Sequence, residues 1–227
     1  MPKISIIIPT INEANNLPLL ISDLSIIKEE GEIIIVDGGS EDRTIDIASI
    51  YGAKVYKSNE RNRGLQLDLG AKISQGEWLI FLHADTRLTH DWFKTIKSIL
   101  KGDKNFIYYF KFKINDKKLI YRLLEILVNF RSTYYKQPYG DQGLIIHRSI
   151  YLKNNGFRRI PIMEDVDFFR RLQNKKDLKQ LSLTIFTSSR KWEKTNIFMQ
   201  ALKNWNFRRR WLKGESIKSI YSDYYKK

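Results

Sequence analysis

The sequence predicts an α/β protein with a mostly parallel central sheet and flanking helices. Three observations carry that expectation. Short β-branched runs alternate with helix-period apolar stripes through the first 100 residues. The run Trp78-Leu79-Ile80-Phe81-Leu82 is apolar throughout, as in a strand buried on both faces. Polar clusters follow three of the runs directly, at the strand ends where open α/β sheets gather their ligands.

Ile4 to Ile8 reads as a strand ended by Pro9, and Leu17, Leu20, Ile21 and Leu24 then mark one face of a helix. Ile33 to Val36 is a second strand. It runs into Asp37-Gly38-Gly39-Ser40, where Ser40, with Glu41 and Asp42 behind it, reads as the N-cap of a helix reaching about Tyr51. Lys54 to Tyr56 is a third strand, Gly64 to Ile73 a third helix, and Trp78 to Leu82 a fourth strand. Beyond residue 100 the alternation fades. Phe110, Phe112 and Ile114 alternate with Lys111 and Lys113, the pattern of a half-buried antiparallel strand. Leu119 to Phe130 is expected as a helix, Gly143 to His147 as a short strand, Asp165 to Leu172 as a helix and Leu181 to Thr187 as the last strand. Thr195 to Leu212 closes as a helix carrying Arg208, Arg209 and Arg210 near its end, where cations suit the helix dipole.

Of the 227 residues, 42% are hydrophobic and 29% charged, which excludes a disordered polymer and supplies a core. There is no Cys, so a disulfide framework, a thiolate metal site and a cysteine nucleophile are all excluded. The net charge of +15 predicts attraction to phosphates. It is unevenly spread: Met1 to Asp37 holds two basic against six acidic side chains, Arg190 to Lys227 eleven against three. That gradient argues against a uniformly basic nucleic-acid sleeve. The apolar run Ile4 to Pro9 is too short for an export signal, and Leu119 to Phe130 is broken by Arg122, Glu125 and Asn129 and too short to cross a bilayer. A cytoplasmic protein is expected, with peripheral attachment to the inner face of the cell membrane left open.

Pro9-Thr10-Ile11-Asn12-Glu13, Asp37-Gly38-Gly39-Ser40 and His83-Ala84-Asp85-Thr86 stand at equivalent ends of three strands and converge on one edge of the sheet. Asp37 ends a buried strand and needs a partner, and the glycines behind it let a ligand come close. Asp85 can hold a divalent cation shared with a diphosphate, since Mg²⁺ sites use one or two carboxylates plus substrate phosphates. His83 can reach the same ligand. Arg61 and Arg63, between the third strand and helix, read equally as a phosphate contact and as a solvated loop. Asp141 and Gln142 read equally as an acceptor or sugar contact and as a polar turn. Arg190 suits a bidentate phosphate contact and Trp192 stacking on a sugar ring.

Taken together, these motifs resemble glycosyltransferase family 2, enzymes of the GT-A fold that use nucleoside-diphosphate-sugar donors. Ile6 to Glu13 looks like the family's first strand and nucleotide loop. Asp37-Gly38-Gly39-Ser40 with Asp42 and Thr44 is similar to its Asp-Gly-Ser-x-Asp-x-Thr pattern with one glycine added. Leu82 to Thr86 sits at the Asp-x-Asp motif, with His83 in place of the first Asp. Glu164-Asp165 looks like the later acidic pair. Phe81 to Leu88, Gly140 to Gly143, Pro161 to Asp165 and Ser188 to Glu193 further resemble a bacterial transferase 2 subgroup associated with radical-SAM and selenium-domain proteins.

The resemblance implies a single GT-A domain over 1–227, with a nucleotide-binding half at 1–100 and an acceptor-side half at 101–227 that ends in the basic helix. It implies a UDP-sugar or GDP-sugar donor, Mn²⁺ or Mg²⁺ on Asp85, Asp165 as base, and non-processive transfer with inversion. Pro9, Thr10, Asn12, Glu13, Asp37, Gly38, Arg63, His83 and Ala84 are then expected around the nucleotide, and Asp141, Gln142, Glu164, Arg190 and Trp192 around the acceptor or sugar. The acceptor is open, a lipid or terpenoid among the candidates. Two other readings stand beside this one: a nucleotide-sugar-binding protein without activity, for which His83 is the best argument, and a basic nucleic-acid module, which leaves the acidic strand ends unexplained. Arg208 to Arg210 with Trp205, Phe207 and Trp211 reads as a membrane-surface helix or as a solvated helix end in nearly equal measure, and the helix Leu119 to Phe130 tips the balance slightly to the membrane.

Overall fold

A computed structural model describes residues 3–27, 29–172, 177–189 and 197–225. Its strands form one eight-stranded sheet. In chain order these are β1 (Ile4–Thr10), β2 (Gly31–Asp37), β3 (Lys54–Lys57), β4 (Trp78–Phe81), β5 (Thr86–Leu88), β6 (Ile107–Ile114), β7 (Leu144–His147) and β8 (Leu178–Thr187). Their order across the sheet is β3-β2-β1-β4-β7-β6-β8-β5. β1 to β4 run parallel, β4 meets β7 antiparallel, β6 lies antiparallel to β7 but parallel to β8, and β5 pairs antiparallel with β8 at the sheet edge. The antiparallel expectation for β6 therefore holds on one of its two sides.

Among the described residues the helices are α1 (Leu17–Leu24), α2 (Thr44–Ile50), α3 (Arg63–Ile73), α4 (Trp92–Leu100), α5 (Leu119–Tyr134), α6 (Arg148–Lys153), α7 (Glu164–Arg171), α8 (Ile197–Leu212) and α9 (Ile217–Tyr225). Alternation along buried strands divides the core. Ile6, Ile8 and Ile80 pack with α1 and with Trp92 of α4 on one face, while Ile7, Leu79 and Phe81 pack with Leu67 of α3 and Phe168 of α7 on the other. A third cluster joins Phe112 and Ile114 of β6 to Tyr121 and Leu124 of α5.

Ser40 does not cap α2. The helix begins at Thr44, and Ser40 is held back in the loop, its hydroxyl donating to Asp37 and accepting from the N–H of Asn12 at 2.9 Å. β5, α4, α6 and α9 are elements the sequence reading left unassigned. Among the described residues no helix is long and apolar enough to cross a membrane.

Candidate active site

The loops after β1 and β2 are laced together. Asp37 is fully buried; one oxygen accepts from Thr10 Oγ1 at 3.0 Å and from the Ser40 hydroxyl, the other from the backbone N–H groups of Gly39 at 2.9 Å and Ser40 at 2.8 Å. The β1 loop is fastened in turn: Glu13 N–H donates to Thr44 Oγ1 at 2.8 Å, Ala14 N–H to Asp42 at 3.1 Å, and Asn12 Oδ1 accepts from Glu41 N–H at 2.8 Å. Asn12 reaches that position with φ of 52°, a left-handed conformation that Asn tolerates better than most residues. Behind Gly38 the Gln66 amide donates to the carbonyls of Thr10 and Val36 at 3.0 and 2.8 Å, and a Cβ on Gly38 would lie 3.0 Å from it. Pro9, Thr10, Asn12, Glu13, Asp37 and Gly38, the residues expected around a nucleotide, thus form one braced cradle, in which Asp37 sets the loop through its own bonds.

α7 begins at Glu164 because Met163 turns the chain through a left-handed φ of 63°, placing Glu164, Asp165 and Asp167 in the first turn, where the dipole favours carboxylates. Asp165 is held twice. Gly140 N–H donates to its Oδ2 at 2.7 Å and Val166 N–H to its Oδ1 at 2.7 Å. Glu164, 2% exposed, accepts from Arg63 Nε at the start of α3. Burial pushes the Glu164 carboxyl above the ordinary carboxylate range, with Arg63 opposing the push and Asp165 adding to it. Asp167 is taken by Arg171 at 2.7 Å and Arg158 at 3.5 Å, the structural role of a helix-start acid.

His83, Tyr139, Gly140, Glu164 and Asp165 share the walls of a narrow cleft with Leu82. A Cβ on Gly140 would lie 3.0 Å from His83 Nε2 and 3.3 Å from Asp165 Oδ2, so both side chains rest on one face of that glycine. Ala84 is buried beside His83, and the half-buried Asp85 accepts from Thr187 Oγ1 at 3.4 Å. Asp85 is a sole carboxylate at its strand end: among the described residues no group of three or more His, Cys, Asp or Glu side chains gathers to hold a metal. That arrangement fits a divalent cation held jointly with substrate phosphates and does not fit an all-protein cage.

Gln142 is a correction. Expected beside Asp141 as an acceptor or sugar contact, it is fully buried, its Oε1 accepting from Ser132 Oγ at 2.5 Å and Tyr139 N–H at 3.2 Å, its amide donating to the Phe110 carbonyl at 3.3 Å. It braces the turn that presents Gly140. Asp141 stays half-buried, close enough to act electrostatically on Arg63 and Arg131. Arg190 and Trp192 lie outside the described residues.

Sequence reasoning missed Arg131, Tyr139 and the inward role of Arg208. The Arg131 guanidinium lies 3.4 Å from the centre of the Tyr139 ring, and Arg208 Nη1 donates to the Tyr139 hydroxyl at 2.5 Å. Burial holds Arg131 below its ordinary pKa, with Tyr139 and Asp141 opposing and Arg208 adding to the effect. The three come from α5, the following loop and α8, and no local motif signals that they meet.

The sheet order and the polar edge at the ends of β1, β2 and β4 define a GT-A-like α/β fold. The chain belongs to glycosyl transferase family 2, whose model matches residues 5–166. It is similar to the cholesterol galactosyltransferase of Borreliella burgdorferi, 27% identical over 193 residues, covering 73% of this chain and 54% of that one. Another curated relative is matched over only 37% of its length. Among solved structures, Staphylococcus aureus TarS 1-349 superposes with a TM-score of 0.66 at 21% identity, covering 82% of this chain and 60% of that one. Glucosyl-3-phosphoglycerate synthase of Mycobacterium tuberculosis, solved with Mn²⁺, UDP and glucosyl-3-phosphoglycerate, superposes with a TM-score of 0.59 at 20% identity, covering 82% and 70%.

Proposed function

We propose that this chain transfers a glycosyl group from a UDP-sugar or GDP-sugar to an apolar acceptor, a lipid or terpenoid, by single displacement with inversion. The observation that carries the reading is the placing of Asp165 and His83 on one face of Gly140, beside the braced cradle after β1 and β2. The donor nucleotide lies in that cradle, with Arg63 near its phosphates. The synthase neighbour was solved with UDP and Mn²⁺, and another relative is named for cholesterol, which supports a nucleotide donor and an apolar acceptor.

Asp165 takes the proton of the acceptor hydroxyl. As the new bond forms from that oxygen to the anomeric carbon, the bond from carbon to the diphosphate oxygen breaks and the nucleoside diphosphate leaves. The backbone donors of Gly140 and Val166 fix both carboxylate oxygens, so the base is oriented before the acceptor arrives. Glu164, tied to Arg63, sets the start of α7 against the start of α3. Asp85 would hold a divalent cation, Mn²⁺ or Mg²⁺, which would supply Lewis-acid stabilisation of the departing diphosphate. The kinship with the transferase 2 subgroup, a single domain, and a cytoplasmic site of action at the inner face of the membrane belong to the same proposal.

The test is thermal unfolding against UDP, GDP, CDP and dTDP, with and without Mn²⁺ or Mg²⁺. A ligand at about a hundred times its dissociation constant adds ~2.7 kcal/mol of stability. A metal-dependent rise in midpoint with one nucleotide is expected. Absence of a shift with every nucleotide sinks the donor site. A shift without sugar transfer to any lipid acceptor favours the binding-only reading, for which His83 in place of a carboxylate speaks.

A further inference from the structure

α5 carries its polarity inside out. Its polar side chains face the protein: Glu125 Oε1 accepts from Ile114 N–H at 2.8 Å, Asn129 Oδ1 from Phe112 N–H at 2.9 Å while its amide donates to the Phe112 carbonyl at 2.9 Å, and Ser132 reaches Gln142. The sheet explains the demand. β6 registers with β7 only at Tyr108 and Ile145, so the backbone beyond that pair has no strand partner on that side and takes helix side chains instead.

The outer face is apolar. Leu119, Leu123, Ile126, Leu127, Phe130 and Tyr134 are between 47% and 85% exposed. At 3.6 residues per turn they fall within about 100° of arc, opposite the buried Tyr121, Leu124 and Ser132, in a stripe ~22 Å long. Phe130 and Tyr134 stack at its C-terminal end with ring centroids 5.4 Å apart, and Tyr135 stands edge-on to both. α5 meets β6 through its opposite face, where Tyr121 and Leu124 pack with Phe112 and Ile114. A continuous exposed apolar patch of this kind marks an interaction surface.

Charge selects the partner. From Lys117 to Lys136 there are five basic side chains and one acid, Glu125, which is buried and paired with Arg122 at 2.8 Å. Lys117 and Lys118 precede the stripe, Lys118 standing 3.9 Å from Asp116, and Lys136 follows it with its ammonium donating to the Leu178 carbonyl at 3.3 Å, so cations stand at both ends. Two copies paired along their stripes, parallel or antiparallel, would bring these cations together, which disfavours a self-interface. An anionic bilayer meets both needs, taking the apolar side chains below the headgroups and the lysines among them.

We propose that the outer face of α5 docks the protein on an anionic lipid bilayer with the helix lying in the plane of the interface. What docking achieves rests on the transferase reading above: Arg131 on α5 spans to the Tyr139 ring, so the aromatic end of the stripe adjoins the cleft that holds Asp165. The basic run on α8 is the poorer candidate. Phe207 is buried, Arg208 turns inward to Tyr139, and Arg210 is paired with Glu215 and Asp223.

The experiment is co-sedimentation of the full chain with vesicles of phosphatidylglycerol and phosphatidylcholine in equal parts, and with pure phosphatidylcholine. Wild-type protein is expected to bind the anionic vesicles and to leave them as salt is raised. Leu127→Ser with Phe130→Ser is expected to weaken that binding about ten-fold or more. Trp205→Ser, exposed on α8, is expected to leave it unchanged. Nucleotide-induced thermal shifts in each variant report the donor site separately, so loss of vesicle binding with the shift intact supports α5, and vesicle binding through α5 without any shift removes only the transferase reading. The proposal is overturned if wild-type protein ignores anionic vesicles or if the double variant binds them as wild-type does. It is equally overturned by a concentration-dependent dimer in sedimentation velocity that the double variant abolishes, which would make a second copy the occupant.

Discussion

The backbone N–H of Gly140 donates to Oδ2 of Asp165 at 2.7 Å, joining the turn before β7 to the first residues of α7. The glycine has a steric reason as well, since an added Cβ would press on both His83 and Asp165. Gly140→Ala is therefore expected to lower turnover about ten-fold or more by displacing the carboxylate, while the folding midpoint moves by no more than ~4 °C. Steady-state kinetics beside thermal unfolding separates the two effects. Wild-type turnover in the alanine variant would show that the Gly140 contact does not position the base.

Asp165→Asn keeps the size of the side chain and removes its basicity. One backbone donor, Gly140 N–H or Val166 N–H, then faces an amide NH₂, a local cost of ~1–3 kcal/mol. Turnover is expected to fall ~100-fold or more with nucleotide binding nearly unchanged. Single-turnover transfer measured beside nucleotide titration checks both halves, and undiminished transfer removes Asp165 from the role of base.

β1, β2 and β4 are legible in the sequence because strands buried on both faces carry near-continuous apolar runs, broken in β1 and β2 by Ser5 and Glu32, which bond to each other, and the polar residues that follow the runs stand out by contrast. β5 is three residues long and exists through its pairing with β8 almost 100 residues later, a long-range contact that no local pattern records. α6 follows β7 without a break and is capped by the ring of His147, which accepts from Ser149 N–H, so the usual cap signal is missing. Ser40 misled for the opposite reason. Its type suits a cap, yet its hydroxyl is taken up by Asp37 and Asn12 across the loop. Within the site, the strand-end residues and the α7 acids could be found because each announces itself locally. Arg131, Tyr139 and Arg208 could not, since their meeting depends on how α5, the loop after it and α8 come together.

Asp85→Ala removes a carboxylate that accepts from Thr187 Oγ1 of β8, apart from the hydrogen bonds that brace the cradle after β1 and β2. The metal-dependent part of the nucleotide-induced thermal shift is expected to disappear, and any metal-independent part to survive. Titration of Mn²⁺ against the nucleotide complex distinguishes them. An unchanged metal response would place the cation elsewhere.

Glu164 supplies a pH dependence whose direction follows from its surroundings. Burial, with Asp165 beside it, holds its pKa above the ordinary carboxylate value even against Arg63, so the folded chain binds that proton more tightly than the unfolded chain. Stability from this group is accordingly full below that value and declines as pH rises through the folded pKa. Glu164→Gln keeps an oxygen for Arg63 Nε to donate to and has no proton to lose in that range. Relative to wild type, the glutamine variant is expected to gain in folding midpoint as pH rises from 5 to 8. Midpoints measured across that interval in both proteins decide the matter. A difference that stays flat or runs the other way would mean that the Arg63 ion pair outweighs burial and keeps Glu164 charged throughout.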